Sequence, residues 1–263
     1  MVYKSASLIY NCTVINVAKS YGDHLLHVEV GEIIRAHSEN RTDIRSVARR
    51  LIVWNGIRRI MDLGCGYGWF EDVLEGSFDL IAGIDCLGEN GPPFIRSAKK
   101  TAREAIFKMV TLPATTDFPS DYFDLIVSAY SLYFFPGALP EIKRLLRPGG
   151  IFVVITHSES MLEEGERYFD FKDLRKVIEN FSAENGKAIL KKYFVDIASI
   201  DYTNTLVFRK GEGKDLARYI DFKREFIKKD VDPDLVRAKM LQELLKNGEV
   251  RLNKNDRVFL VKK

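Results

Sequence analysis

Three glycines at alternate positions, Gly64, Gly66 and Gly68, lie between the apolar stretch Ile60-Met61 and the aromatic pair Trp69-Phe70. A turn without Cβ atoms lets a ligand approach the backbone closely. A helix that starts directly after such a turn points its free N–H groups at whatever sits there. Seventeen residues beyond Gly68, Ala82-Gly83-Ile84-Asp85 closes a second apolar run with a carboxylate. A carboxylate at a strand end can accept hydrogen bonds from both hydroxyls of a ribose. Taken singly, the turn could be a tight loop and Asp85 a strand-end cap. Together they describe a site for a nucleoside-containing cofactor at the carboxyl end of a parallel sheet. A dinucleotide fingerprint, GxGxxG, would need glycine at 69, where this chain has Trp69.

Such a site has to be positioned by alternating strands and helices. Short apolar runs at residues 59–63, 80–85, 107–112, 123–129 and 151–156 are five to seven residues long, as buried parallel strands are. Helix-like stretches at 69–74, 93–105 and 139–146 lie between them, the last stopped by Arg147-Pro148-Gly149-Gly150. An amphipathic helix over 43–54 precedes the first strand, with Ile44, Val47, Leu51 and Ile52 at helical spacing. The alternation predicts an α/β fold with right-handed crossovers and a doubly wound, mostly parallel sheet. Beyond Thr156 the pattern predicts a helix at 171–181, strands at 193–200 and 205–208, and charged amphipathic helices at 215–228 and 234–245. A strand at 249–252, the turn Asn253-Lys254-Asn255-Asp256 and a strand at 257–261 close the chain. This half is expected to complete the sheet with an edge hairpin and to add a helical insert before the last strand. No repeat or linker divides the sequence, so one domain is expected over 1–263. It comprises an N-terminal helical cap (1–57), a cofactor-binding core (58–157) and a completing segment (158–263), with a helical cover over 205–248.

The segment Asp62-Leu63-Gly64-Cys65-Gly66-Tyr67-Gly68 resembles motif I of the class I S-adenosylmethionine (SAM)-dependent methyltransferases. Phe123-Asp124-Leu125-Ile126-Val127-Ser128 resembles that family's fourth-strand motif, and Leu145-Leu146-Arg147-Pro148-Gly149-Gly150 resembles the segment leading into its fifth strand. The resemblance implies a seven-stranded Rossmann-like sheet, SAM as cofactor and methyl transfer as the reaction. It implies that Asp62, Gly64, Cys65, Gly66 and Gly68 form the cofactor loop and that Asp85 is the ribose-binding acid. It also puts Cys86, Leu112 and Ala129 where relatives line the cofactor pocket. One position departs from the family pattern. Relatives often carry an acid for the adenine amino group where this chain has Leu112, leaving backbone and apolar contacts, or Asp117 in a shifted loop, to hold adenine.

Methyl transfer requires the acceptor to be placed in line behind the methyl group, water to be excluded, and a proton to be removed from a weak nucleophile. Tyr130-Ser131-Leu132-Tyr133-Phe134-Phe135-Pro136 follows the fourth strand and would line that cleft. It is not the Asn-Pro-Pro-Tyr-like sequence of relatives that methylate exocyclic amines of nucleic-acid bases. His157, one residue past the fifth strand, could act as a base near neutral pH or be a strand-end histidine bonded to backbone. Tyr130 and Tyr133 could assist or simply pack. Tyr21, His24 and His27 lie in a segment that folds over the cofactor in many relatives. His24 and His27 share a helix face, but no further ligand makes a metal site.

The composition narrows the alternatives. The chain has 263 residues, 46% hydrophobic and 29% charged, close to the globular average, which argues against disorder. No apolar run reaches membrane-helix length, and the N-terminus does not read as a signal peptide. Cys12, Cys65 and Cys86 lack CxxC spacing, which argues against disulfides and structural zinc. A cytoplasmic protein is expected. The net charge is +3, but residues 187–263 hold 19 Lys/Arg against 12 Asp/Glu, a local +7. With the aromatics Phe208, Tyr219, Phe222 and Phe226 among these charges, the insert resembles the helical cover of several small-molecule methyltransferases, which implies a small-molecule acceptor. Two alternatives stay open: an RNA methyltransferase gripping phosphates with the same basic residues, and a SAM-binding protein without turnover that serves a partner.

Overall fold

The computed structural model describes residues 24–167, 172–223 and 232–263. Cys12, Tyr21, Phe171, Arg224, Phe226, Lys228 and Lys229 lie outside the described residues. The chain divides into two compact units, each assembled from separated stretches. One comprises Thr42–His157, Glu179–Tyr202 and Asp256–Lys263; the other gathers Met1–Arg41, Ser158–Ile178 and Thr203–Asn255.

The first of these holds the seven-stranded sheet. Its strands are β1 (Arg59–Leu63), β2 (Phe78–Asp85), β3 (Ala102–Met109), β4 (Phe123–Ala129), β5 (Leu146–His157), β6 (Asp196–Tyr202) and β9 (Asp256–Lys262), in the order β3-β2-β1-β4-β5-β9-β6. Strands β3, β2, β1, β4 and β5 are parallel, while β9 runs antiparallel between β5 and β6. Ile60, Ile81, Ile126, Val153 and Val154 are fully buried, as continuous apolar runs in a sheet covered on both faces must be. The strand order reverses beside β1, which puts the ligand crevice at the carboxyl ends of β1, β2 and β4. An N-capping Asp43, accepting from Arg45 N–H, starts the helix Ile44–Leu51 of this unit.

Three sequence expectations are corrected here. Residues 69–74 do not form an α-helix; only a 3₁₀ turn, Glu71–Val73, follows the glycines. The Trp69 carbonyl, which would accept the Val73 N–H in an α-helix, instead accepts from buried Arg45 at 2.6 Å, and Val73 N–H turns to Phe70 at 3.2 Å. The expected helix over 93–105 ends at Ala98, and β3 begins at Ala102 rather than 107. As the sheet's edge strand, β3 needs only a half-buried pattern, so Arg103 and Glu104 belong to it. Finally, residues 249–252 and 257–261 do not pair across their turn. Strand β9 has both edges occupied by β5 and β6, so no edge remains for its predecessor.

That predecessor, β8 (Glu249–Asn253), pairs antiparallel with β7 (Thr205–Arg209) in the second unit. Residues 205–248, read from the sequence as a cover, here supply β7 and the helices Gly213–Lys223 and Pro233–Asn247. With the helix His24–His37, these bury Val30, Leu206, Phe208, Tyr219, Phe222, Met240 and Leu252 in a core of their own. His27 stacks on Phe222 at 5.6 Å, so its ring packs against an aromatic of this core. His37, 7% exposed, contacts Asp215 through Nε2 at 2.9 Å. No described helix is long and apolar enough to cross a membrane.

Candidate cofactor and acceptor site

At the end of β1 the chain must reverse sharply, and its glycines do different work. All three hold positive φ: Gly64 +69°, Gly66 +52° and Gly68 +87°. A Cβ on Gly64 would lie 2.4 Å from Ser131 Cβ, and one on Gly68 would lie 2.8 Å from Ser97 Cβ. Those two glycines let neighbouring elements close in. Gly66 has nothing within 4 Å of the missing Cβ. Its empty side is where a ligand can meet bare backbone. Asp85 completes the cradle: Oδ2 accepts from Gly66 N–H and Oδ1 from Leu87 N–H, both at 2.9 Å. The carboxylate required for a ribose is thereby fixed beside the open glycine. The 3₁₀ turn Glu71–Val73 is too short to add a helix dipole, which leaves the loop and Asp85 as the groups that could hold a cofactor.

The remaining cofactor candidates share this unit. Cys65 is buried, and desolvation with the charges of Asp62, Asp85 and Glu71 pushes its thiol well above the ordinary range. Cys86 is half-buried and shifted upward by burial and by Asp85. Neither is poised as a thiolate. Ala129 ends β4, and partly buried Leu112 follows β3. Asp117, the alternative adenine acid, pairs with Lys108, which holds its carboxyl below the usual range. Asp124 of the fourth-strand motif sits at the opposite end of the sheet, accepting from Arg58 and Arg59 N–H at 2.7 Å and pairing with Arg147. Its role is to tie strand starts together.

The acceptor candidates converge. Tyr130 and Tyr133 both stack on His157, at 4.4 and 5.9 Å between centroids, and Trp69 meets Tyr130 at 5.6 Å. Tyr130 holds φ +56°, an uncommon conformation for a bulky residue and one that clusters at functional sites. His157 reaches a carboxylate through its ring. Its Nδ1 contacts Asp256 Oδ1 at 2.6 Å, and the Tyr130 hydroxyl donates to Asp256 Oδ2 at 2.6 Å. Burial and the Asp256 charge push the Tyr130 phenol well above its ordinary range, so it stays protonated. Asp256 was invisible as a site residue in the sequence, where it is the last residue of a turn 99 positions from His157. Glu71, buried beside Asp62, was also missed, because a charge in an expected helix reads as surface. Among the described residues no group of His, Cys, Asp and Glu forms a metal site.

Comparison with known proteins fits this geometry. Residues 61–154 match the family model described as a methyltransferase domain. Aklanonic acid methyltransferase DauC of Streptomyces sp. (strain C5) is 35% identical over 102 residues, covering 35% of this chain and 44% of that protein. The chain thus matches less than half the length of this curated relative. The YcgJ protein from Bacillus subtilis superposes with TM-score 0.59 at 18% identity, over 83% of this chain and 97% of that one. The cyclase SpnF superposes with TM-score 0.52 at 19% identity, over 83% and 79%. These likenesses define a Rossmann-like methyltransferase fold. Residues 61–154 carry the likeness to a methyltransferase domain, of a family that uses SAM as cofactor.

Proposed function

We propose that this protein transfers the methyl group of SAM to an oxygen or nitrogen of a small-molecule acceptor, with His157 as the base. When bound, SAM supplies an electrophilic methyl group. Asp62, Gly64, Cys65, Gly66 and Gly68 would hold it at the loop, Asp85 at the ribose, and Cys86, Leu112 and Ala129 along the walls. The observation that carries the acceptor chemistry is the Asp256 carboxylate bridging His157 and Tyr130, at 2.6 Å to each. A carboxylate on Nδ1 fixes the imidazole's tautomer and orientation, so proton exchange with an acceptor runs through Nε2. Tyr130 and Tyr133, stacked on the ring, wall the imidazole off from water. The similarity to a methyltransferase named for aklanonic acid, over the part matched, supports an acceptor of small size.

Methyl-tritiated SAM incubated with a panel of hydroxylated, phenolic and amine small molecules tests the reading. Label should pass to one acceptor class, and His157→Ala should lose most turnover between about pH 6 and 8, where an imidazole titrates. Transfer to total RNA instead, with tight and steeply salt-dependent binding, would overturn the small-molecule reading. SAM binding with no transfer to any acceptor would favour the partner-serving alternative.

A further inference from the structure

We infer that Asp62 and Glu71 form a single proton-holding pair beneath the glycine loop, and that binding of the SAM cation expels this proton. The inference rests on SAM being the cofactor of the loop, and extends it to a residue outside the motif.

Asp62 lies on β1 two residues before Gly64, and Glu71 opens the 3₁₀ turn three residues after Gly68. They are 2% and 1% exposed. No N–H or hydroxyl among the described residues donates to Asp62 Oδ1 or to either Glu71 oxygen. With three buried carboxyl oxygens lacking a donor, a proton shared between the two groups is the way left to satisfy them. Desolvation and the mutual charge raise both carboxyls above the ordinary range, Asp62 to about 8. Buried carboxyls without donors are costly to ionise, so the pair keeps its proton at neutral pH.

The groups facing the pair do not supply a counter-charge. From β2, Asp85 adds repulsion; from the loop, the Cys65 thiol is neutral; from the turn, Asp72 adds a second negative charge. The cations nearby are committed elsewhere. Arg45 spends its guanidinium on Asp43 and the Trp69 carbonyl, and Lys100 pairs with Asp72 at 2.8 Å. Next to the glycine loop, among the described residues, there is therefore acidic potential that these cations do not balance. SAM carries a sulfonium and an α-ammonium against one carboxylate. A positive charge arriving there favours the ionised form of the pair, and the proton leaves to solvent.

Calorimetric titration of the full chain with SAM, at pH 6.5 in buffers of different ionisation enthalpy, counts the protons exchanged. At this pH the α-ammonium of SAM stays charged. The expected result is about 0.5–1 proton released per SAM bound, with affinity rising about three- to tenfold per pH unit between about pH 6 and 7. Glu71→Gln should still bind SAM but lose the release and flatten the pH dependence. Should Glu71→Gln fail to fold, Asp62→Asn and the wild-type buffer series decide. Wild-type binding with no buffer dependence would overturn the inference while leaving the cofactor intact. So would undiminished release in both variants, which would assign the proton to another group. Absence of SAM binding by the wild-type chain would overturn the cofactor reading itself.

Discussion

The proposed cofactor end and the proposed acceptor end of the same sheet edge are built by opposite strategies. On the cofactor side, Asp62, Gly64, Gly66, Glu71 and Asp85 fall within one strand–turn–strand segment, and Gly66 N–H meets Asp85 at 2.9 Å across 19 positions. On the acceptor side, Tyr130 reaches Asp256 across 126 positions, and His157 reaches it across 99. The first half depends on local backbone geometry; the second exists only because β9 inserts beside β5 with His157 opposite Asp256. Damage to the loop should therefore spread through the fold, while damage to the dyad should stay local.

The largest effect expected is from Gly64→Ala. The added Cβ would have to occupy a position 2.4 Å from Ser131 Cβ at a φ of +69°. Overpacking and backbone strain together should cost about 3–5 kcal/mol in denaturant unfolding. Gly66→Ala, which meets no atom, should cost only about 1–2 kcal/mol from its φ, yet weaken SAM binding. Equal losses of stability in the two variants would break the distinction between packing glycines and the ligand-facing one.

The pH dependence of stability in the absence of cofactor comes next. Asp62 is raised to about 8, so the folded state holds a proton that the unfolded chain has released above its ordinary range. The stabilisation from this proton is full at acid pH and is lost as pH rises toward 8. Stability should fall steadily from about pH 5 and level off once the pH passes about 8. Urea unfolding across that range should show the decline, and Glu71→Gln should make it shallower.

At the acceptor end, Asp256→Ala removes a buried carboxylate that bridges two partly buried groups. It should cost about 2–4 kcal/mol, while SAM affinity stays within about twofold. Asp85→Ala should behave inversely: SAM affinity falls about ten- to hundredfold, since charge-assisted hydrogen bonds are lost. Matched calorimetry on the two variants sharpens the contrast, and a large loss of SAM affinity in Asp256→Ala would erase it. The smallest effect belongs to Tyr130→Phe, which deletes one hydroxyl at 2.6 Å from Asp256 and should cost about 1–2 kcal/mol in thermal unfolding.

The sequence by itself determined the alternation of strands and helices, the limits of β1 and β4, the glycine turn and its companion Asp85. These follow from short-range rules: apolar runs bury, glycine takes positive φ, and a strand-end acid lies beside the next turn. It could not determine where an edge strand with Arg103 and Glu104 begins, because half-burial leaves a weak pattern. Nor could it show that Arg45 would capture the Trp69 carbonyl and reduce an expected helix to one 3₁₀ turn. Tertiary structure alone decided that the last two strands part company, β8 to β7 and β9 into the large sheet. It alone set Asp256 under His157 and Tyr130, and left Glu71 buried against Asp62. Those pairings are contacts between residues whose local sequence looks like surface. Their burial is set by which edges and cavities the rest of the chain leaves open.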